Sequence, residues 1–275
     1  MRTFTTNGGL ELPVIGFGTY KLNGNSGADS VAQAIANGYR LIDSAFNYEN
    51  EGAVGEGVRC SGITREQVIV TSKLPGRRQG YESAIKAVEE SVFRTGLGYI
   101  DLYLIHWPNP RVDKYVEAWQ ALIAAKDAGL VRHIGVCNFL PEHLTRIIDE
   151  TGVVPEVNQI ELNPYFPQLE LADFNSSEGI ITQAWSPLRR GELLEDPAIT
   201  ALAASHGATP GQIVLAWEVA RGVVPIPKAS STERQLENLG ALDVVLSESE
   251  VATISALGRP DGRLFESDPN VHEEF

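Results

Sequence analysis

The chain has 275 residues, 36 of them acidic and 22 basic, for a formal net charge of −14. That length suits one large barrel or two small domains, since single α/β barrels run to about 250 residues. The acidity weighs against nucleic acid and anionic membranes as partners, because its field repels both.

Cys60 and Cys137 are the only cysteines. Two in a chain of this length make no disulfide framework, and a reducing environment is the default reading. The first nine residues lack the apolar core of a signal peptide, and no apolar run approaches the roughly 20 residues of a membrane span. The expectation is a cytoplasmic protein.

The chain opens with Thr3-Phe4-Thr5-Thr6, a turn at Asn7-Gly8-Gly9, and Leu10-Glu11-Leu12-Pro13. An Asn-Gly step between β-prone runs predicts a hairpin. Short apolar runs then recur at 15–20, 39–45, 68–74, 101–107, 133–139, 157–162, 180–187 and 223–228. Several are apolar at successive positions, as in Val68-Ile69-Val70, which suits strands covered on both faces. Helical spacing fills the intervals at 29–36, 82–93 and 116–125, with Asp113 as a candidate cap and Gly129 as a stop for the last. Pro141 and Thr209-Pro210 open two more helices. The residues from 258 to 275 read as a polar loop lying over the barrel.

Eight strands alternating with helices, and no composition break, predict one domain over 1–275. Its fold class is α/β, a (β/α)8 TIM barrel with an N-terminal β-hairpin. A doubly wound open sheet is the alternative. Gly16-Phe17-Gly18 lacks the third glycine and the prompt helix of a dinucleotide-binding turn.

A barrel places its active site where its strands end. The second run ends at Asp43, the third at Lys73 and the fourth at His106, so three chemically capable side chains converge on one rim. Tyr48 follows in the loop after Asp43. An ammonium beside a phenol stabilises phenolate and lowers the phenol pKa from about 10 toward neutrality. A carboxylate such as Asp43 keeps that ammonium charged. A tyrosine tuned this way can protonate an alkoxide forming from a carbonyl, and His106 can orient or polarise the same oxygen.

These residues resemble the aldo-keto reductase family. Leu41-Ile42-Asp43-Ser44-Ala45 with Tyr48, Val70-Thr71-Ser72-Lys73-Leu74 and Asp101 through Pro108 match its tyrosine, lysine and histidine segments. Gly135-Val136-Cys137-Asn138-Phe139, Val157-Asn158-Gln159-Ile160-Glu161 and Ile226-Pro227-Lys228 follow in family order. The short loops are most like the bacterial branch containing the 2,5-diketo-D-gluconate reductases.

The resemblance implies a catalytic tetrad of Asp43, Tyr48, Lys73 and His106, and NADPH as hydride donor to small aldehydes, ketones or keto-sugars. It implies that Asn138 and Gln159 hold the nicotinamide carboxamide, that Trp185 stacks on the ring, and that Ser186 and Leu188 follow the pyrophosphate. Lys228 and Arg234 would meet the 2′-phosphate, Glu237 and Asn238 the adenine end, and Ser230 is a further cofactor-binding residue. A monomer is the family expectation. Cys137 stands where many members have serine, Ala229 where serine often follows the lysine, and Asn163 where histidine is frequent. Tyr20, Phe46, Asn47, His106 and Trp107 adjoin strand ends and are the candidate substrate pocket.

Two other classes remain in view. A Schiff-base aldolase would use a strand-end lysine, Lys73 or Lys228. A low-turnover NADPH-binding protein would act as a redox sensor. No metal site is expected, because the five histidines form no i, i+4 pair and neither cysteine is spaced for zinc.

Overall fold

In a computed structural model, which describes residues 2–275, the chain begins with β1 (Thr3–Thr5) and β2 (Glu11–Pro13). They pair antiparallel across the Asn-Gly turn, Thr3 opposite Pro13, as the hairpin pattern predicts. The barrel follows in strict alternation. In order come β3 (Phe17–Gly18), α1 (Gly24–Asn37), β4 (Leu41–Asp43), α2 (Glu51–Cys60), β5 (Ile69–Leu74) and α3 (Tyr81–Thr95). Next are β6 (Ile100–Ile105), α4 (Tyr115–Asp127), β7 (Val131–Cys137), α5 (Pro141–Thr151), β8 (Val157–Glu161), α6 (Leu169–Ser177) and β9 (Ile181–Trp185). The chain ends through α7 (Pro197–His206), α8 (Pro210–Ala220), β10 (Val224–Pro225), α9 (Thr232–Leu239) and α10 (Glu248–Ser255).

β3 to β10 form one parallel sheet in sequence order. The sheet closes on itself, because Gly16 N–H donates to Pro225 O (2.9 Å) and Gly18 N–H to Pro227 O (3.0 Å). A side chain would be crowded at this seam: a Cβ on Gly18 would lie 3.2 Å from the Ile226 carbonyl oxygen. The Gly16-Phe17-Gly18 pattern thus serves close strand approach. The open-sheet alternative is overturned by the closing hydrogen bonds.

All eight strand runs fall where the apolar pattern puts them. Inside the barrel, Leu12, Leu41, Leu102, Leu104, Val157, Val224 and Ile226 fill the core with Cys137, so its interior is packed. Leu12 belongs to the hairpin, which plugs the end where the strands begin. Thr6 Oγ1 donates to Glu156 Oε2 (2.7 Å) and Asn7 Nδ2 to Pro155 O (3.1 Å), fastening the plug.

Helix starts follow local chemistry. Thr209 caps α8 by accepting from Gln212 N–H while Gln212 reaches back to Thr209 N–H, and Pro210 takes the first position. α3 stops on Gly96 at φ 61°. Asp113 does not cap α4: its φ is 57°, Lys114 takes the cap position, and the Asp113 carboxylate pairs with Arg146 instead.

Five helices escape the sequence pattern: α2, α6, α7, α9 and α10. In α2 the reason is packing. A Cβ on Gly55 would lie 1.8 Å from Thr95 O, so glycines that look helix-breaking permit contact with the end of α3. Among the described residues no helix is long and apolar enough to cross a membrane.

Candidate active site

The strand ends open into a cleft of about 650 Å³. Asp43, Tyr48, His106, Trp107, Asn138, Gln159, Trp185, Ser186, Leu188 and Lys228 line it, with Tyr20 at its mouth. Residues more than 180 positions apart in sequence thus share one wall because parallel strands end on one rim.

Lys73 lies beneath this surface, 1% exposed, as the last but one residue of β5. Its Nζ donates to Asp43 Oδ1 (2.5 Å) and to Ser44 O (2.8 Å). It lies 5.1 Å from the centroid of the Tyr48 ring. Burial works against the lysine charge, but the Asp43 carboxylate and then Tyr48 more than restore it, so the ammonium is held above its usual range. The second Asp43 oxygen accepts from Gln159 Nε2 (2.8 Å), and Gln159 also donates to Gln183 (2.9 Å). Gln159 is therefore locked by its amide nitrogen.

Tyr48 ends a short 3-10 turn, Phe46–Tyr48, after β4. Asn50 holds this turn from behind: it accepts from Ser44 Oγ (2.7 Å) and donates to Thr19 O (2.7 Å). Nothing in the sequence pattern marks Asn50, whose burial appears only in the fold. The phenol does not fall toward neutrality. Burial pushes it up to about 12, Lys73 pulls it down and Asp43 pushes it up again. Desolvation outweighs an ammonium whose charge Asp43 already balances. Tyr48 itself is only half-buried, its ring facing the cleft beside Tyr20 (5.1 Å between centroids) and His106 (6.0 Å).

On the other side, Asn138 takes φ 60° and accepts from Trp185 Nε1 (2.8 Å) while donating to His106 O (3.0 Å). That bond fixes the indole plane at the end of β9. Ser186, at φ 52°, turns the backbone immediately after it. Cys137 is buried, and burial pushes its thiol well up, so it is no nucleophile.

The structure leaves some expected residues out of the cleft. Phe46 packs outward into the helix layer, with the Arg94 guanidinium 4.1 Å from its ring centroid. Asn47 bonds to Glu274 and Arg77. Neither lines the cleft, because the 3-10 turn points only Tyr48 inward. Ser230 and Arg234 are exposed, Arg234 in the first turn of α9, while Glu237 is half-buried and Asn238 buried along that helix. All four lie beyond the residues that line the cleft.

Other residues enter unannounced. The residues after α10 run across the strand ends, as the loop reading expects. Glu161 accepts from Leu264 N–H (2.5 Å) and Arg189 binds Gly262 O, which brings Phe265 to 5.9 Å from the Trp185 ring and under Arg190. Farther on, His272 packs at a tilt against Trp107 (4.2 Å between centroids) and Glu274 reaches His106. No periodicity marks these contacts in sequence.

Comparison with known proteins agrees with this geometry. Residues 14–259 match the model of the aldo/keto reductase family. The chain is 48% identical over 274 residues to 2,5-diketo-D-gluconic acid reductase B of Corynebacterium sp. (strain SHS752001), covering 99% of this chain and 98% of that one. It superposes with a TM-score of 0.93 on a point mutant of Gox0644 in complex with NADPH, at 40% identity and 98% coverage of both chains. A Bombyx mori aldo-keto reductase in complex with NADP gives 0.91 at 33% identity, covering 100% of this chain and 99% of that one. The chain belongs to the aldo/keto reductase family.

Proposed function

We propose that this protein reduces small aldehydes, ketones or keto-sugars to alcohols with NADPH, and that Tyr48 donates the proton. As an aldo/keto reductase it is an oxidoreductase of carbonyl compounds. One observation carries the finer reading: the buried Asp43–Lys73 pair lies under Tyr48, on the rim that also carries His106.

The residues of the cleft suit the cofactor. Trp185 offers a flat apolar surface, and Asn138 and Gln159 are amides that match a carboxamide. Ser186 and Leu188 would follow the pyrophosphate. Lys228 lines the cleft and Arg234 is exposed on α9, and cations of this kind recognise a phosphate monoester even in an acidic chain. Ser230 would join them at the 2′-phosphate, with Glu237 and Asn238 toward the adenine. Relatives solved with NADPH and NADP support the choice. Bound there, the nicotinamide supplies the hydride.

The chain's own residues handle the proton. A phenol pushed up to about 12 carries its proton at neutral pH, as a donor must. When Tyr48 gives that proton to the nascent alkoxide, the Lys73 ammonium stabilises the phenolate left behind. Asp43 keeps Lys73 charged, and His106 orients the substrate oxygen. Tyr20 and Trp107 wall the approach.

The same pair disfavours a Schiff-base aldolase at Lys73, since imine formation needs a neutral amine and Asp43 holds this one protonated. Simple aldehydes, α-dicarbonyls and keto-sugars should each be assayed for NADPH oxidation. Turnover with at least one class is expected. Failure with all, or borohydride trapping of a carbonyl adduct on a lysine, would sink the reading. The protein acts as a monomer, which light scattering checks.

A further inference from the structure

His106 has two ring nitrogens, and the reading above uses only the one that meets the substrate. The other, Nδ1, is buried and has no aligned hydrogen-bond partner. It lies 2.7 Å from Glu274 Oε1, at ion-pair distance but off the line of the ring N–H.

The position of Glu274 is built rather than incidental. Asn109, fully buried at φ 48°, grips the Glu274 backbone on both sides: Glu274 N–H donates to its Oδ1 (3.0 Å) and its Nδ2 donates to Glu274 O (2.8 Å). A Cβ on Gly76 would lie 2.2 Å from Glu274 O, so glycine there makes room for this backbone. The carboxylate is held at both oxygens, Oε2 by Gly76 N–H (2.8 Å) and Oε1 by Asn47 Nδ2 (2.8 Å). Burial works to raise its pKa, but His106 first, then Gly76 and Asn47, reverse this and leave it below the ordinary 4.5. Glu274 is ionised at neutral pH.

An ionised carboxylate only accepts hydrogen bonds, so the facing Nδ1 must carry a proton. For Nε2 also to donate to a carbonyl oxygen, the ring must carry both protons and a positive charge. We infer that Glu274 is the positioning residue of His106: it turns the imidazole, places a proton on Nδ1, and supplies the counter-charge that lets Nε2 donate to the substrate oxygen. This rests on the carbonyl-reductase reading. Its physics is that of a carboxylate orienting an imidazole whose far nitrogen does the work.

The test uses the full chain with Glu274→Gln, and Glu273→Gln as control. Glu273 accepts from Arg111 N–H and anchors the same segment without touching His106. Glu274→Gln is expected to lower kcat by about 10- to 100-fold, the scale of losing an orienting partner. NADPH affinity should stay within about twofold of the parent. The ring 15N signals of His106 should show Nδ1 protonated in the parent and a redistributed proton in Glu274→Gln. Glu273→Gln should change neither. An equal loss in both variants would reassign the effect to docking of the segment, and unchanged kcat with unchanged 15N signals would overturn the inference outright. If the parent itself consumes no NADPH with any carbonyl, the reductase reading fails, and the 15N signals still decide whether Glu274 sets the proton of His106.

Discussion

Lys73 Nζ lies 2.5 Å from Asp43 Oδ1, with the two side chains 1% and 5% exposed, so the rim that carries Tyr48 and His106 rests on an ion pair almost wholly removed from water. Such a pair contributes little by existing, because the desolvation of two charges offsets most of their attraction. Losing one partner is a different matter. Asp43→Asn leaves the Lys73 charge buried without its counter-ion and is expected to destabilise the fold by about 3–5 kcal/mol. Chemical denaturation measures this. A midpoint matching the parent would mean that water or Ser44 carries the lysine charge unaided.

Tyr48→Phe keeps the ring and removes the proton. NADPH binding, followed by fluorescence titration, is expected to change little, while kcat falls by at least about a hundredfold, the usual scale for a general acid. Full turnover in that variant would remove Tyr48 from the chemistry.

On the proposed cofactor site, where Arg234 meets the 2′-phosphate that NADPH has and NADH lacks, Arg234→Ala is expected to weaken NADPH more than NADH. Ala229, which follows Lys228, offers no hydroxyl, so in that proposal the discrimination rests on the two cations. Equal loss for both nucleotides in a binding assay would refute the assignment.

At the opposite end of the barrel, Glu156 is 2% exposed and accepts from Thr6 (2.7 Å), with His133 Nδ1 at 2.8 Å and Lys126 at 3.0 Å. Burial works to raise its pKa, but His133, Thr6 and Lys126 reverse this and hold it below 4.5. A carboxyl depressed in the folded state adds stability that is complete above its unfolded pKa and is lost as pH falls through the folded value. Glu156→Gln is therefore expected to lower stability by about 2–3 kcal/mol near neutral pH. The gap to the parent should close as pH drops below 4.5. Thermal melts across that range check it, and a gap that widens in acid contradicts the sign.

The barrel was legible because strands buried on both faces must be continuously apolar, and because a polar residue closing such a run has nowhere to go but the rim. Asp43, Lys73 and His106 are readable on that ground. α2 was not, because its glycines answer to Thr95 in a distant helix. Nor was the fate of Phe46 and Asn47, which depends on how a three-residue turn is rotated.

What the amino-acid order determined alone is periodic: eight strands, the helices with a clear apolar stripe, and the rim on which the reactive groups gather. Tertiary structure alone decided the strengths and the cover. The Tyr48 phenol is pushed up because desolvation, a property of the folded site, exceeds the pull of an ammonium already balanced by Asp43. Glu274 reaches His106 because Gly76 and Asn109 leave a seat for a backbone more than 160 residues farther along the chain. Contacts of that range are set by where elements end in space, which no local pattern of side chains records.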